Sequence, residues 1–197
     1  VKGNTEGSIK KIIALAAQNN VVIQEVSRQK LDELSQTKNH QGVIAIASAH
    51  NYAEVDDILQ YAEQKGEPPF IVILDGITDP HNLGAIIRSA ECAGAHGVIV
   101  PKHRSVGLNA TVAKTSAGAI EYMPVARVTN IVKTMEQLKK QGLWFACADM
   151  KGLDYFDTDM KGSIGIVIGS EGEGVSRLVK QNCDFTVAIP MYGKISS

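Results

Sequence analysis

The spacing of apolar and polar positions changes along this chain. Over the first fifty residues it alternates between helix and strand: Ser8 to Asn19 is helical with Ser8 placed to cap it, and Val21 to Val26 is rich in β-formers. Gln29 to Leu34 is helical again, and Val43 to Ser48 is an apolar strand. This predicts a small α/β unit whose opening strand is missing, because the chain begins in the loop Gly3-Asn4-Thr5. Glu54 to Gln64 is a polar helix that runs into Lys65-Gly66-Glu67-Pro68-Pro69, a cluster that breaks regular structure. The domain boundary is expected there, dividing the chain into 1–66 and 67–197.

Beyond that cluster, continuous apolar runs at Phe70–Leu74, Val98–Val100, Leu143–Ala146, Ile164–Ile168 and Phe185–Ile189 read as strands. Helices are expected at Leu83–Ala93, around Ala110–Thr115, at Asn130–Lys140 and at Val175–Lys180. Strands apolar on both faces and separated by helices imply an α/β fold with a parallel sheet covered on both sides. Ligands of such sheets bind at the carboxyl ends of the strands, which directs attention to the loops after Leu74, Ile168 and Ile189.

Composition narrows the class. Lys and Arg number 20 against 21 Asp and Glu, and no apolar run approaches the roughly 20 residues that span a bilayer. A cytoplasmic protein without a membrane segment is expected. Cys92, Cys147 and Cys183 are widely spaced without a CxxC pair and read as reduced thiols, with no metal site. Val1 in place of Met suggests a piece of a longer chain. Residues 1–66 carry 7 basic and 8 acidic side chains and the rest 13 of each, so nucleic-acid binding must rest on a local patch. The best is Lys102-His103-Arg104, with Lys114 nearby in sequence; the competing reading is a solvated loop. Trp144 is expected in the core.

Three loops carry candidate chemistry. In the first, a buried strand ends at Asp75, Gly76 permits a sharp turn, Asp79-Pro80 opens the next element, and Asn82 can cap a helix bearing Arg88. Gly84, Ala85 and Ala90 keep that helix slim enough for a close partner; an ordinary strand-loop-helix connection fits the same spacing. The second, Gly169-Ser170-Glu171-Gly172-Glu173-Gly174, is a glycine-rich turn without the Lys-Ser/Thr of a P-loop. Its two glutamates would repel phosphates, so a neutral or cationic group fits better, a sulfonium cofactor or a ribose hydroxyl; a tight turn with left-handed glycines fits the same residues. The third, Ile189-Pro190-Met191-Tyr192-Gly193, by itself says little.

Together these loops resemble the SpoU (TrmH-type) branch of the SPOUT RNA methyltransferases. D-x-x-x-D-P-x-N-x-G-x-x-x-R-S at Asp75–Ser89, G-S-E-G-x-G at Gly169–Gly174 and I-P-M-x-G at Ile189–Gly193 stand in the family's order and spacing. The match covers 70–197. The preceding unit, with His40-Gln41-Gly42-Val43 near its end, looks like the substrate-binding domain of the subgroup that methylates guanosine of 23S ribosomal RNA.

The resemblance implies a trefoil-knotted parallel sheet with a small N-terminal RNA-binding domain, working as a homodimer. It implies methyl transfer from S-adenosylmethionine to a ribose 2′-hydroxyl. Asn82, Arg88, Glu171 and Ser197 match catalytic positions, Ser197 being the point in the third motif at which the sequence stops. Gly169, Ile189 and Met191 are expected to bind the cofactor through their backbones, and Lys102, His103 and Arg104 to bind RNA. A guanidinium keeps its proton at neutral pH, which favours Arg88 as a clamp on the phosphate beside the target ribose over Arg88 as the base. Glu171 could then accept or orient the proton. Ribosomal RNA is the preferred substrate; a tRNA methyltransferase and a non-catalytic RNA-binding homologue are the alternatives.

Overall fold

The structure is a computed structural model that describes residues 8–19, 21–35, 40–45 and 50–193. It divides into two compact units, Val1–Ala47 and Ser48–Ser197. The break precedes the Gly/Pro cluster, because the helix before that cluster packs into the larger unit.

In the smaller unit, α1 (Ser8–Gln18) and α2 (Arg28–Leu34) form as the periodicity predicts. Ser27 caps α2 by accepting the Lys30 N–H at 3.2 Å. The β-rich run Val21–Val26 has no regular secondary structure and joins no strand among the described residues, since strands exist only where a second chain segment accepts their backbone bonds. Val43–Ala45 is likewise irregular, and the remainder of the strand expected at Val43–Ser48 lies outside the described residues. A turn through Gln41 and Gly42, both at positive φ, lets His40 bridge the chain: its Nδ1 accepts the Gly42 N–H at 2.9 Å and its Nε2 lies 3.1 Å from Asp32.

The larger unit is a six-stranded, wholly parallel sheet in the order β3-β2-β1-β5-β4-β6. Its strands are β1 (Phe70–Asp75), β2 (Gly97–Pro101), β3 (Val125–Val128), β4 (Trp144–Asp154), β5 (Ile164–Gly169) and β6 (Phe185–Ala188). The helices are α3 (Val55–Lys65), α4 (Pro80–Cys92), α5 (Ala110–Thr115), α6 (Ile131–Lys140) and α7 (Arg177–Gln181). Side-chain alternation splits the core. Val72 and Leu74 of β1 pack with Leu83 and Ile87 of α4 and Val112 of α5. Ile71 and Ile73 face Ile58 of α3, Met135 and Leu138 of α6 and Val179 of α7. Gly97 admits α3 to the sheet, since a Cβ there would lie 2.5 Å from Ile58. His96, almost wholly buried, fixes the start of β1 by accepting the Phe70 N–H at 3.0 Å while its other nitrogen meets Glu67 at 3.0 Å.

Three details depart from the sequence pattern. β3 is too short and too interrupted by Arg127 to stand out as an apolar run. β4 runs on to Asp154 because Gly152 brings it against the Val187 backbone, where a Cβ would sit 2.4 Å away, past a register shift between Ala148 and Leu153. Trp144 is 62% exposed and not in the core: Phe145 takes the covered face, and Trp144 projects from the start of β4 on the other.

Candidate active site

β1 and β5 are neighbours at the centre of the sheet, so the loops leaving their carboxyl ends meet. Asp75 is aligned with Gly169, and the Asp75 carboxylate accepts the Ser176 N–H at 2.8 Å, tying the first loop to the end of the second. Gly76, at φ +83°, completes the turn beside Ser170, whose side chain a Cβ would meet at 3.7 Å. The second loop closes on itself through paired backbone bonds between Ser170 and Gly174, at 3.2 and 2.9 Å. At Gly169 a Cβ would stand 1.9 Å from the Gly174 carbonyl carbon, so only glycine allows this closure. Glu171 is on its outer, exposed side.

The helix after the first loop is capped one turn earlier than expected. Asp79 is the N-cap, its carboxylate accepting the His81 N–H at 2.9 Å with Pro80 following it, and Asn82 sits exposed in the first turn. Asp79 wins because the Pro ring presets the φ of the first helical residue. Arg88 is exposed on α4 as well. Six residues of helix rotate by about 240° beyond a full turn, so Arg88 shares its face with His81 and Ala85 and not with Asn82. Gly84 and Ala90 point inward, contrary to a slim outer face. Gly84 is covered by α5, where a Cβ would fall 1.9 Å from Thr115 Oγ1, and α5 is the close partner that this glycine serves.

Lys102, His103 and Arg104 are all exposed on the loop after β2, at the same end of the sheet. The loop is joined to the first one by the Val106 N–H, which donates to the Ile77 carbonyl at 3.0 Å. Ile189 and Met191 follow β6, with β4 standing between β6 and β5, and both are largely exposed. Ser197 lies outside the described residues.

The residues fit S-adenosylmethionine by their chemistry. The second loop supplies backbone groups and carboxylates that suit a sulfonium, while exposed Ile189 and Met191 offer apolar surface for an adenine. Beside this region Lys180 pairs with Asp149, and that contact holds the Asp149 carboxyl below its usual range and raises the Lys180 ammonium. Burial pushes the Cys147 thiol up and the Cys183 thiol up to about 12, so neither is primed as a nucleophile. Asp75, Ser176 and Arg127 enter the neighbourhood unassigned by the motif reading. Only the D at the head of the first motif signalled any of them.

Comparisons with known proteins bear on this geometry. Residues 69–197 match the SpoU rRNA methylase family, and residues 1–53 match the RNA 2′-O ribose methyltransferase substrate-binding family. A Bacillus subtilis protein assigned to the TrmH family of tRNA/rRNA methyltransferases is 48% identical over the whole chain, which spans 79% of that protein. A Staphylococcus haemolyticus protein with the same assignment is 46% identical, with 79% spanned. The crystal structure of the SpoU methyltransferase AviRb from Streptomyces viridochromogenes in complex with AdoMet superposes with a TM-score of 0.66 at 27% identity. That match covers 95% of this chain and 81% of that one. A second AviRb structure, at 33% identity and a TM-score of 0.61, matches 66% of this chain, which spans 52% of that one. These relatives do not separate the 23S ribosomal RNA subgroup from its kin. The chain belongs to the SpoU rRNA methylase family, whose members are methyltransferases that use S-adenosylmethionine.

Proposed function

We propose that this protein methylates the 2′-hydroxyl of a ribose in RNA, with a guanosine of 23S ribosomal RNA as the target. The observation that carries this reading is the meeting of three loops at one end of the sheet, made by the Asp75–Ser176 and Val106–Ile77 bonds. It puts an exposed basic segment and a glycine-rich, acidic turn on either side of the first loop, an arrangement that suits a reaction between an RNA hydroxyl and a sulfonium methyl. S-adenosylmethionine supplies the electrophilic methyl when bound. Gly169, Ile189 and Met191 hold it, and Lys102, His103 and Arg104 bind the RNA backbone. Arg88 clamps the phosphate next to the target ribose, Asn82 orients the hydroxyl, and Glu171 takes or directs its proton. Ser197 completes the set in the third motif.

The same reading includes a homodimer, a trefoil knot in the C-terminal part of the sheet, and a cytoplasmic location. The dimer rests on the exposed α4 face of His81, Ala85 and Arg88, since Gly84 is already occupied by α5. No helix among the described residues is long and apolar enough to cross a membrane. The test is mass-spectrometric mapping of ribose methylation in cellular RNA with and without the gene. Loss of one 2′-O-methylguanosine from 23S RNA supports the proposal. Loss from tRNA instead assigns the tRNA substrate, and an unchanged map removes the enzymatic reading in favour of an RNA-binding protein.

A further inference from the structure

The Lys102–Arg104 loop is held in an unusual shape by residues outside every motif above. Arg104 adopts φ +59°, a conformation that costs a non-glycine residue energy and persists only where the surroundings enforce it. Two side chains hold the ends of the loop. Arg127 on β3 donates from Nη2 to the Lys102 carbonyl at 2.9 Å, and its guanidinium lies 5.2 Å from the centre of the Tyr52 ring. The Tyr52 hydroxyl in turn accepts the Leu108 N–H at 3.1 Å, so one aromatic ring and one guanidinium grip the loop at both ends. Tyr52 is itself fixed, because Ala53 pairs with β3 through its N–H to the Val125 carbonyl at 2.9 Å. Between the two grips, the Ser105 hydroxyl donates to the Pro101 carbonyl at 2.6 Å, and Val106 ties the loop to Ile77.

The geometry points to Arg127 and Tyr52 as a positioning pair that presets the Lys102–Arg104 loop to receive an RNA phosphate. The inference rests on the reading of that loop as an RNA contact. Binding to a preset loop avoids the entropy of ordering it at the moment of contact. The pair therefore acts on RNA affinity and leaves the cofactor site alone.

The two residues separate positioning from direct contact, because Tyr52→Leu breaks the brace without removing a charge. In the full-length protein, Tyr52→Leu and Arg127→Ala should each raise the KM for RNA about fivefold to tenfold, the scale of one lost cation–π contact with its hydrogen bond. They should leave kcat and S-adenosylmethionine affinity unchanged, and the double variant should do little more than either single one. Amide hydrogen exchange at Val106 and Leu108 should accelerate in both, and Tyr52→Phe should keep the Arg127 contact while exposing the Leu108 amide. A KM that rises in Arg127→Ala but not in Tyr52→Leu would make Arg127 a phosphate contact and overturn the inference. Unchanged exchange in both variants would overturn it as well. Should exchange accelerate while KM stays constant, and stay constant also in Lys102→Ala and Arg104→Ala, the RNA role of the loop fails and the inference with it.

Discussion

The Asp75 carboxylate accepts the Ser176 N–H at 2.8 Å across 101 residues of sequence, and this bond holds the turns after β1 and β5 in one arrangement. Asp75→Ala should leave the Ser176 N–H without its partner, at a cost of about 1 kcal/mol because the amide is exposed to water. The larger effect falls on the site. S-adenosylmethionine affinity, measured by calorimetry, should drop in Asp75→Ala and recover in part in Asp75→Asn, whose amide oxygen can still accept. Equal affinity in all three proteins would separate this bond from cofactor binding.

Glycine identity matters at two positions for different reasons. Gly169→Ala drives a methyl into the Gly174 carbonyl, so the second loop must open and cofactor binding should be lost. Gly84→Ala pushes against Thr115 and the Val112 carbonyl and should destabilise the fold by about 1–3 kcal/mol, as overpacking does. Thermal melts should show the second effect, with Thr115→Ala relieving part of it.

Arg88 distinguishes a clamp from a base. As a clamp, Arg88→Lys keeps partial activity, while Arg88→Ala lowers kcat/KM and reduces the salt slope of RNA binding by about one phosphate contact. Cofactor affinity stays unchanged in both. A salt slope identical in wild type and Arg88→Ala would return Arg88 to proton transfer.

The Lys180–Asp149 pair gives a pH signature. Asp149 has a depressed folded-state pKa, so its contribution is present above the usual carboxylate value near 4 and is lost as the pH falls through the lower folded value. Lys180 has a raised one, so its contribution is present below the usual lysine value near 10.4 and is lost at higher pH. The melting difference between wild type and Lys180→Met should therefore be greatest between about pH 5 and pH 9 and shrink in acid, in base and at high salt. A difference independent of pH would indicate lost packing instead.

The thiols should be distinguishable by alkylation. Cys92 is exposed, whereas Cys147 is buried and Cys183 is pushed up to about 12, so iodoacetamide at pH 8 should modify Cys92 well before the others. Rapid double or triple modification in the folded protein would contradict that order.

Five of the six strands of the sheet, and the motif-bearing loops that follow them, are legible in the residues alone, whereas β3 is not. Runs such as Phe70–Leu74 and Ile164–Ile168 are apolar at every position and only five residues long, which suits a strand covered on both faces, and the three motifs mark the turns that follow. Which strands are neighbours is a long-range property, and the tertiary structure alone decided it. The insertion of β5 between β1 and β4 makes Asp75 and Ser176 partners, and the same order puts β4 between Gly169 and Ile189. Direction around a helix is hidden for a similar reason. Small residues at 84, 85 and 90 read as one slim surface until α5 claims Gly84, and Asn82 reads as a cap until Pro80 sets the helix start at Asp79. Arg127 interrupts an apolar strand and so carries no local signal. Its role comes from Tyr52 and the Lys102 carbonyl, which the chain brings to it from 75 and 25 residues away.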